Sequence, residues 1–145
     1  MFVIVVGARE RKTPADESQV CEVLSRLKTK YGATMVVTSA ACDQGIGSFV
    51  KKKCLGNSTD FRFLEITQRI YADLPRSRMI QVFIARNAVL AELGDEFHIF
   101  VDPDHHGTME DLMQRIERLD TGKETHSKRT VVIYEPGLIL SSEDV

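Results

Sequence analysis

Arg86 is the residue whose position asks most of its surroundings. It lies in a stretch of helical period, Ser77 to Leu93, whose apolar positions are Met79, Val82, Phe83, Val89, Leu90 and Leu93. It falls three residues after Phe83 and three before Val89, inside the apolar stripe. A guanidinium there must reach an acidic partner, carbonyls or a ligand phosphate, or else snorkel from the stripe's edge, because burying it unpaired is costly. Three segments could receive that phosphate: Gly7-Ala8-Arg9, Ser39 to Gly47 with Gly45 inside it, and Asp102 to Thr108 with Gly107. The last two run into helix N-termini, where free N–H groups and the dipole favour an anion. Glycine also ends strands for steric reasons alone, so the weight rests on three such loops sharing one sheet edge.

Other residues allow other chemistry. Asp102-Pro103-Asp104-His105-His106 offers carboxylates and imidazoles suited to a metal, and adjacent loop histidines are equally simple polar surface. Thr108 and Asp111 have the spacing of a capping box, with Asp in place of the usual Glu. Cys42 shares a loop with Ser39, but the sequence places no His to activate it as a nucleophile. Lys51-Lys52-Lys53 reads as a solvated helix face that could also draw in an anion.

The elements that must position these residues alternate short apolar strands with amphipathic helices, the pattern of a parallel α/β sheet. Strands are expected at Phe2 to Val6, Thr34 to Thr38, Phe61 to Ile66, Phe97 to Val101 and Thr130 to Tyr134. Thr13-Pro14 opens a first helix, with Thr13 as cap, Pro14 at N1, and Asp16 and Glu17 at the positive end. Val20, Val23, Leu24, Leu27 and Tyr31 repeat along it, and Gly32 stops it. A short helix follows Gly45, with Ile46, Phe49, Val50 and Cys54 on one face. Thr67 to Arg78 is irregular, Gly94 ends the long helix, and Thr108 to Leu119 forms another with Met109, Leu112, Met113, Ile116 and Leu119 inward. Asp120 to Lys128 reads as a loop. Residues 1–135 form one Rossmann-like three-layer domain with a mostly parallel five-stranded sheet and strand one central; 136–145 is a flexible tail.

Composition bounds the partners. The 145 residues are 43% hydrophobic and 28% charged, which argues against disorder. With 19 basic and 21 acidic residues, the formal charge of −2 is too even for a dedicated duplex-DNA or membrane-surface protein. The three cysteines, Cys21, Cys42 and Cys54, form no C-x-x-C pair, so neither a disulfide framework nor a zinc ribbon is expected. With no spanning run and no signal-peptide n-region, a reducing, cytoplasmic setting is expected.

Together, these loops and the long helix resemble the SLOG superfamily, Rossmann-like nucleotide-binding proteins that include the LONELY GUY phosphoribohydrolases and the Rossmann domain of DNA-processing protein A. The family motif Pro-Gly-Gly-x-Gly-Thr-x-x-Glu is similar to Pro103-Asp104-His105-His106-Gly107-Thr108-Met109-Glu110-Asp111. Asp104 and His105 stand at two motif glycines, and Asp111 at the glutamate. The preceding helix carries the family's Arg and, ten positions on counting inclusively, Asp, here Arg86 and Asp95. Arg86-Asn87 resembles the helix start of the DNA-processing branch; Thr38-Ser39-Ala40-Ala41 through Gly45-Ile46-Gly47 resembles the second loop, and Val6-Gly7-Ala8-Arg9 the opening.

The resemblance implies binding of a nucleotide or nucleoside phosphate by Gly7, Arg9, Ser39, Gly45, Gly47, Gly107 and Thr108. It implies a catalytic extension, hydrolysis of a nucleoside monophosphate's N-glycosidic bond by Arg86 and Asp111, with no cofactor. One alternative is a non-catalytic module for a nucleotide signal or single-stranded nucleic acid. Another is a metal-assisted hydrolase on Asp102, Asp104, His105 and His106. Ile80, Ile84 and Ala91 add apolar surface on other faces of the long helix, so a homodimer or higher homo-oligomer is expected.

Overall fold

The computed structural model describes residues 1–56, 61–67, 75–103, 107–122 and 128–136. Five parallel strands form one sheet: β1 (Phe2–Gly7), β2 (Val36–Ala40), β3 (Arg62–Ile66), β4 (Glu96–Phe100) and β5 (Thr130–Tyr134). Their order is β3-β2-β1-β4-β5, which puts β1 at the centre of a Rossmann-like α/β arrangement. The central strand β1 is covered on both faces, which is why it reads as an unbroken apolar run rather than an alternating one. Every residue of β4 is buried, whereas edge strands β3 and β5 are half exposed.

The helices are α1 (Pro14–Tyr31), α2 (Ile46–Cys54), α3 (Arg76–Leu93) and α4 (Thr108–Thr121). The chain steps outward from β1 to β3, then crosses back to β4 and β5. Right-handed crossovers therefore put α1 and α2 on one face and α3 and α4 on the other. Two apolar layers result. Val3, Val5, Val37 and Phe100 pack with Val20, Leu24, Leu27 and Val50; Ile4, Val6, Ala40, Phe97 and Ile99 pack with Leu90, Leu112 and Ile116.

Several sequence expectations shift. β2 starts at Val36 rather than Thr34, because Gly32–Thr34 continues α1 as a 3-10 turn and β1 pairs Phe2 with Val36. β3 starts one residue later, at Arg62, and β4 runs from Glu96 to Phe100, one residue earlier than its apolar run suggests. Asp120 and Thr121 belong to α4, not to the following loop: Asp120 is buried and accepts from the backbone N–H of Arg129 at 2.9 Å and from its Nε at 2.7 Å. On α3 the apolar stripe is misplaced at Val89, which is 48% exposed, and Ala91 lies in the core. The face is centred on Asn87, a polar residue that periodicity in apolar positions passes over. The expected tail beyond Pro136 lies outside the described residues, as does most of the segment 67–78.

Candidate functional site

The carboxyl edge of the sheet brings together the exits of β1, β2 and β4. In the loop after β1, Arg11 is buried, with its guanidinium carbon 5.4 Å from the centre of the Phe100 ring. Its donors are all used: Nε on Asp16 at 3.1 Å, Nη1 on the Tyr134 carbonyl at 2.7 Å, and Nη2 on Gln19. Next to it Thr13 and Asp16 form a complete capping box, so the N-terminus of α1 is closed.

The N-termini of α2 and α4 are not closed in this way. Each begins at a glycine of positive φ, Gly45 at 78° and Gly107 at 84°, and neither has a side-chain cap. Their first-turn N–H groups are left to water or to an anion. A Cβ on Gly45 would stand 2.4 Å from the Arg9 carbonyl oxygen, so only glycine fits there; a Cβ on Gly107 would meet none of the described residues within 4 Å. The expected capping box of Thr108 and Asp111 is not formed. Gly107 occupies the cap position, and Thr108 is the first helical residue.

Arg86 is 9% exposed and differs from Arg11 in that, among the described residues, no hydrogen bond engages its guanidinium. Its Nε has no hydrogen-bond partner, and among the described residues no carboxylate pairs with it. Its guanidinium carbon lies 5.2 Å from the centre of the Phe83 ring. Burial pushes its pKa below the ordinary value. Other buried polar atoms here also lack partners: Thr38 Oγ1 and Ser39 Oγ on β2, Asn87 Oδ1 on α3, and Asp102 Oδ1 after β4. Each such group costs about 1–3 kcal/mol when left unmade. Each unpaired group of this kind calls for a partner such as ordered water or a ligand.

Asn87 Nδ2 donates to the Thr108 carbonyl at 2.6 Å and to Asp111 Oδ2 at 3.1 Å. Arg115 Nε also donates to Asp111 Oδ2, at 2.9 Å. Asp111 is thus held by its helix neighbour and by α3, and no hydrogen bond or ion pair joins it to Arg86. With 27% of its side chain exposed, it remains reachable from solvent.

No family model, curated protein or solved structure matches the chain. The site must be read from its own geometry.

The remaining expected residues fall as follows. Gly7 has no room for a side chain, since a Cβ would stand 2.6 Å from Ile46 Cγ1 and from the Phe100 carbonyl. Gly47 is similarly confined by the Ala40 carbonyl at 2.7 Å and Cys42 Cβ at 3.0 Å. Both glycines let α2 approach the sheet. Arg9 is exposed and donates to both carboxylate oxygens of Asp43, at 3.1 and 3.0 Å, which clips the loops after β1 and β2 together. Lys51 and Lys52 pair with Glu65 and Glu17, each at 3.3 Å. Asp104, His105 and His106 lie outside the described residues, and among the described residues no cluster of three metal-ligating side chains occurs. No described helix is long and apolar enough to cross a membrane.

Sequence reasoning gave Asn87 no role beyond its place beside Arg86, and missed Arg11 and a second buried network. His98 bonds the Tyr134 hydroxyl through Nδ1 at 2.7 Å and Glu96 Oε2 through Nε2 at 2.8 Å, and Tyr31 Oη donates to Glu96 Oε1 at 2.6 Å. Its one sequence signal was a histidine flanked by apolar residues in β4, with Glu96 two positions earlier on the same face.

Proposed function

We propose that this protein binds a nucleotide or nucleoside phosphate at the carboxyl ends of its strands. The observation that carries the reading is Arg86: nine-tenths buried, its Nε without a hydrogen-bond partner and, among the described residues, with no carboxylate to pair with. A buried cation with nothing to neutralise it is costly, and a ligand phosphate supplies the missing charge. The uncapped N-termini of α2 and α4 add donors of the right polarity for the same anion. The SLOG likeness of the loops around Ser39 and Gly107 supports the same ligand class.

Binding is better supported than turnover. N-glycosidic hydrolysis would need Asp111 and Arg86 to act on one bond, yet Asp111 Oδ2 is engaged by Asn87 and Arg115. The catalytic reading therefore rests on the other oxygen, Oδ1. A thermal-shift screen across mono-, di- and cyclic nucleotides tests the proposal, with base release assayed on every hit. A stabilising ligand whose effect disappears in Arg86→Ala supports it; no stabilisation by any nucleotide overturns it. Base release that falls at least about 100-fold in Asp111→Asn would establish turnover.

Within this reading the protein is cytoplasmic and pairs through α3, where Ile80 and Val89 are each 48% exposed. Light scattering that gives a monomer mass at every concentration ends the pairing hypothesis.

A further inference from the structure

We propose that the cleft between α1 and α2 is a second ligand site, separate from the carboxyl edge, for a small amphipathic anion. The ligand has an apolar body bearing one carboxylate, sulfonate or phosphate group. The cleft holds about 390 Å³, within the range of small-molecule sites. Its walls include Glu17, Cys21 and Lys28 of α1, Phe49, Lys52 and Lys53 of α2, and Phe61 just before β3. Both phenylalanines are only partly buried, so apolar surface faces the space.

Charge selects the other half of the ligand. Lys28 Nζ lies 5.2 Å from the centre of the Phe61 ring, and exposed Lys52 is paired with half-buried Glu17, at 3.3 Å. Such a partly exposed pair is weak and readily exchanged. Lys53 is half-buried, and no described carboxylate pairs with it. Its neighbour Cys54 cannot compensate, because burial pushes that thiol up to about 12 and keeps it neutral. With Lys52 and Lys53 lining the cleft against one described carboxylate, Glu17, beside aromatic walls, the cleft selects an anion with an apolar body over either a bare anion or a neutral hydrocarbon.

The test is a backbone amide NMR titration of the full chain with 8-anilinonaphthalene-1-sulfonate, against N-phenyl-1-naphthylamine, the same ring system without the sulfonate. The expected result is saturable one-to-one binding of the sulfonate, with shifts centred on α1, α2 and Phe61. Lys53→Gln weakens it about fivefold, the scale of one lost partly solvated charge contact. The uncharged amine binds more weakly and ignores that substitution. Arg86→Ala leaves sulfonate binding unchanged, which separates this site from the nucleotide reading. No saturable binding below about 1 mM overturns the proposal. So do shifts centred on Ile80 and Val89, equal affinity for the two probes, or indifference of the sulfonate to Lys53→Gln.

Discussion

Asn87 reaches from α3 to α4 and donates to Asp111 Oδ2 at 3.1 Å, with the Thr108 carbonyl sharing the same amide group. One fully buried side chain therefore fixes the first turn of α4 relative to the helix that carries Arg86. Asn87→Ala removes both bonds and leaves the Thr108 carbonyl without its side-chain donor. The expected loss is about 1–3 kcal/mol in urea unfolding. An unchanged midpoint would show that the latch contributes nothing.

Replacing Arg86 separates stability from binding. Arg86→Met keeps the unbranched stem and removes a buried charge that no described carboxylate pairs with, so stability is expected to hold or rise by about 1 kcal/mol. Nucleotide affinity is expected to fall by about 1.5 kcal/mol or more, the low end for a charge-assisted bond. A variant that loses stability instead assigns Arg86 to the fold.

Gly45 and Gly107 share a backbone conformation but not a setting. Both have positive φ, so alanine costs about 1–3 kcal/mol at either. At Gly45 the new Cβ also meets the Arg9 backbone, adding at least about 1 kcal/mol. Gly45→Ala is thus expected to unfold at lower urea than Gly107→Ala. The reverse order would contradict the packing of the β1 loop on α2.

Acid stability depends on Glu96. Burial alone would raise its pKa, but hydrogen bonds from His98 and Tyr31 outweigh that and hold it below the ordinary 4.5. A carboxylate depressed in the folded state contributes stability that is complete above its unfolded pKa. That contribution fades as pH falls through the folded value. Glu96→Gln is therefore expected to flatten the loss of stability below about pH 4.5 while costing stability at neutral pH. Parallel pH profiles for the two proteins would exclude Glu96 from the acid transition.

The sequence by itself determined whatever is periodic or local. Unbroken apolar runs such as Phe2 to Val6 specify strands covered on both faces. Thr13-Pro14 specifies where α1 begins, since a cap and its partner lie within one turn. Arg86 stood out because a charge inside an apolar stripe is anomalous at the level of spacing alone. Tertiary structure decided what spacing cannot encode. Arg11 meets the carbonyl of Tyr134 across 123 residues, and Asn87 meets Asp111 across 24. Those pairings arise only once the sheet order places β5 beside β4 and α4 against α3. The same assembly closed the N-terminus of α1 and satisfied Arg11, while leaving Arg86 buried with no carboxylate to pair with among the described residues. Two arginines of one chemistry thus part ways because donors are matched by three-dimensional neighbours, which sequence distance does not supply.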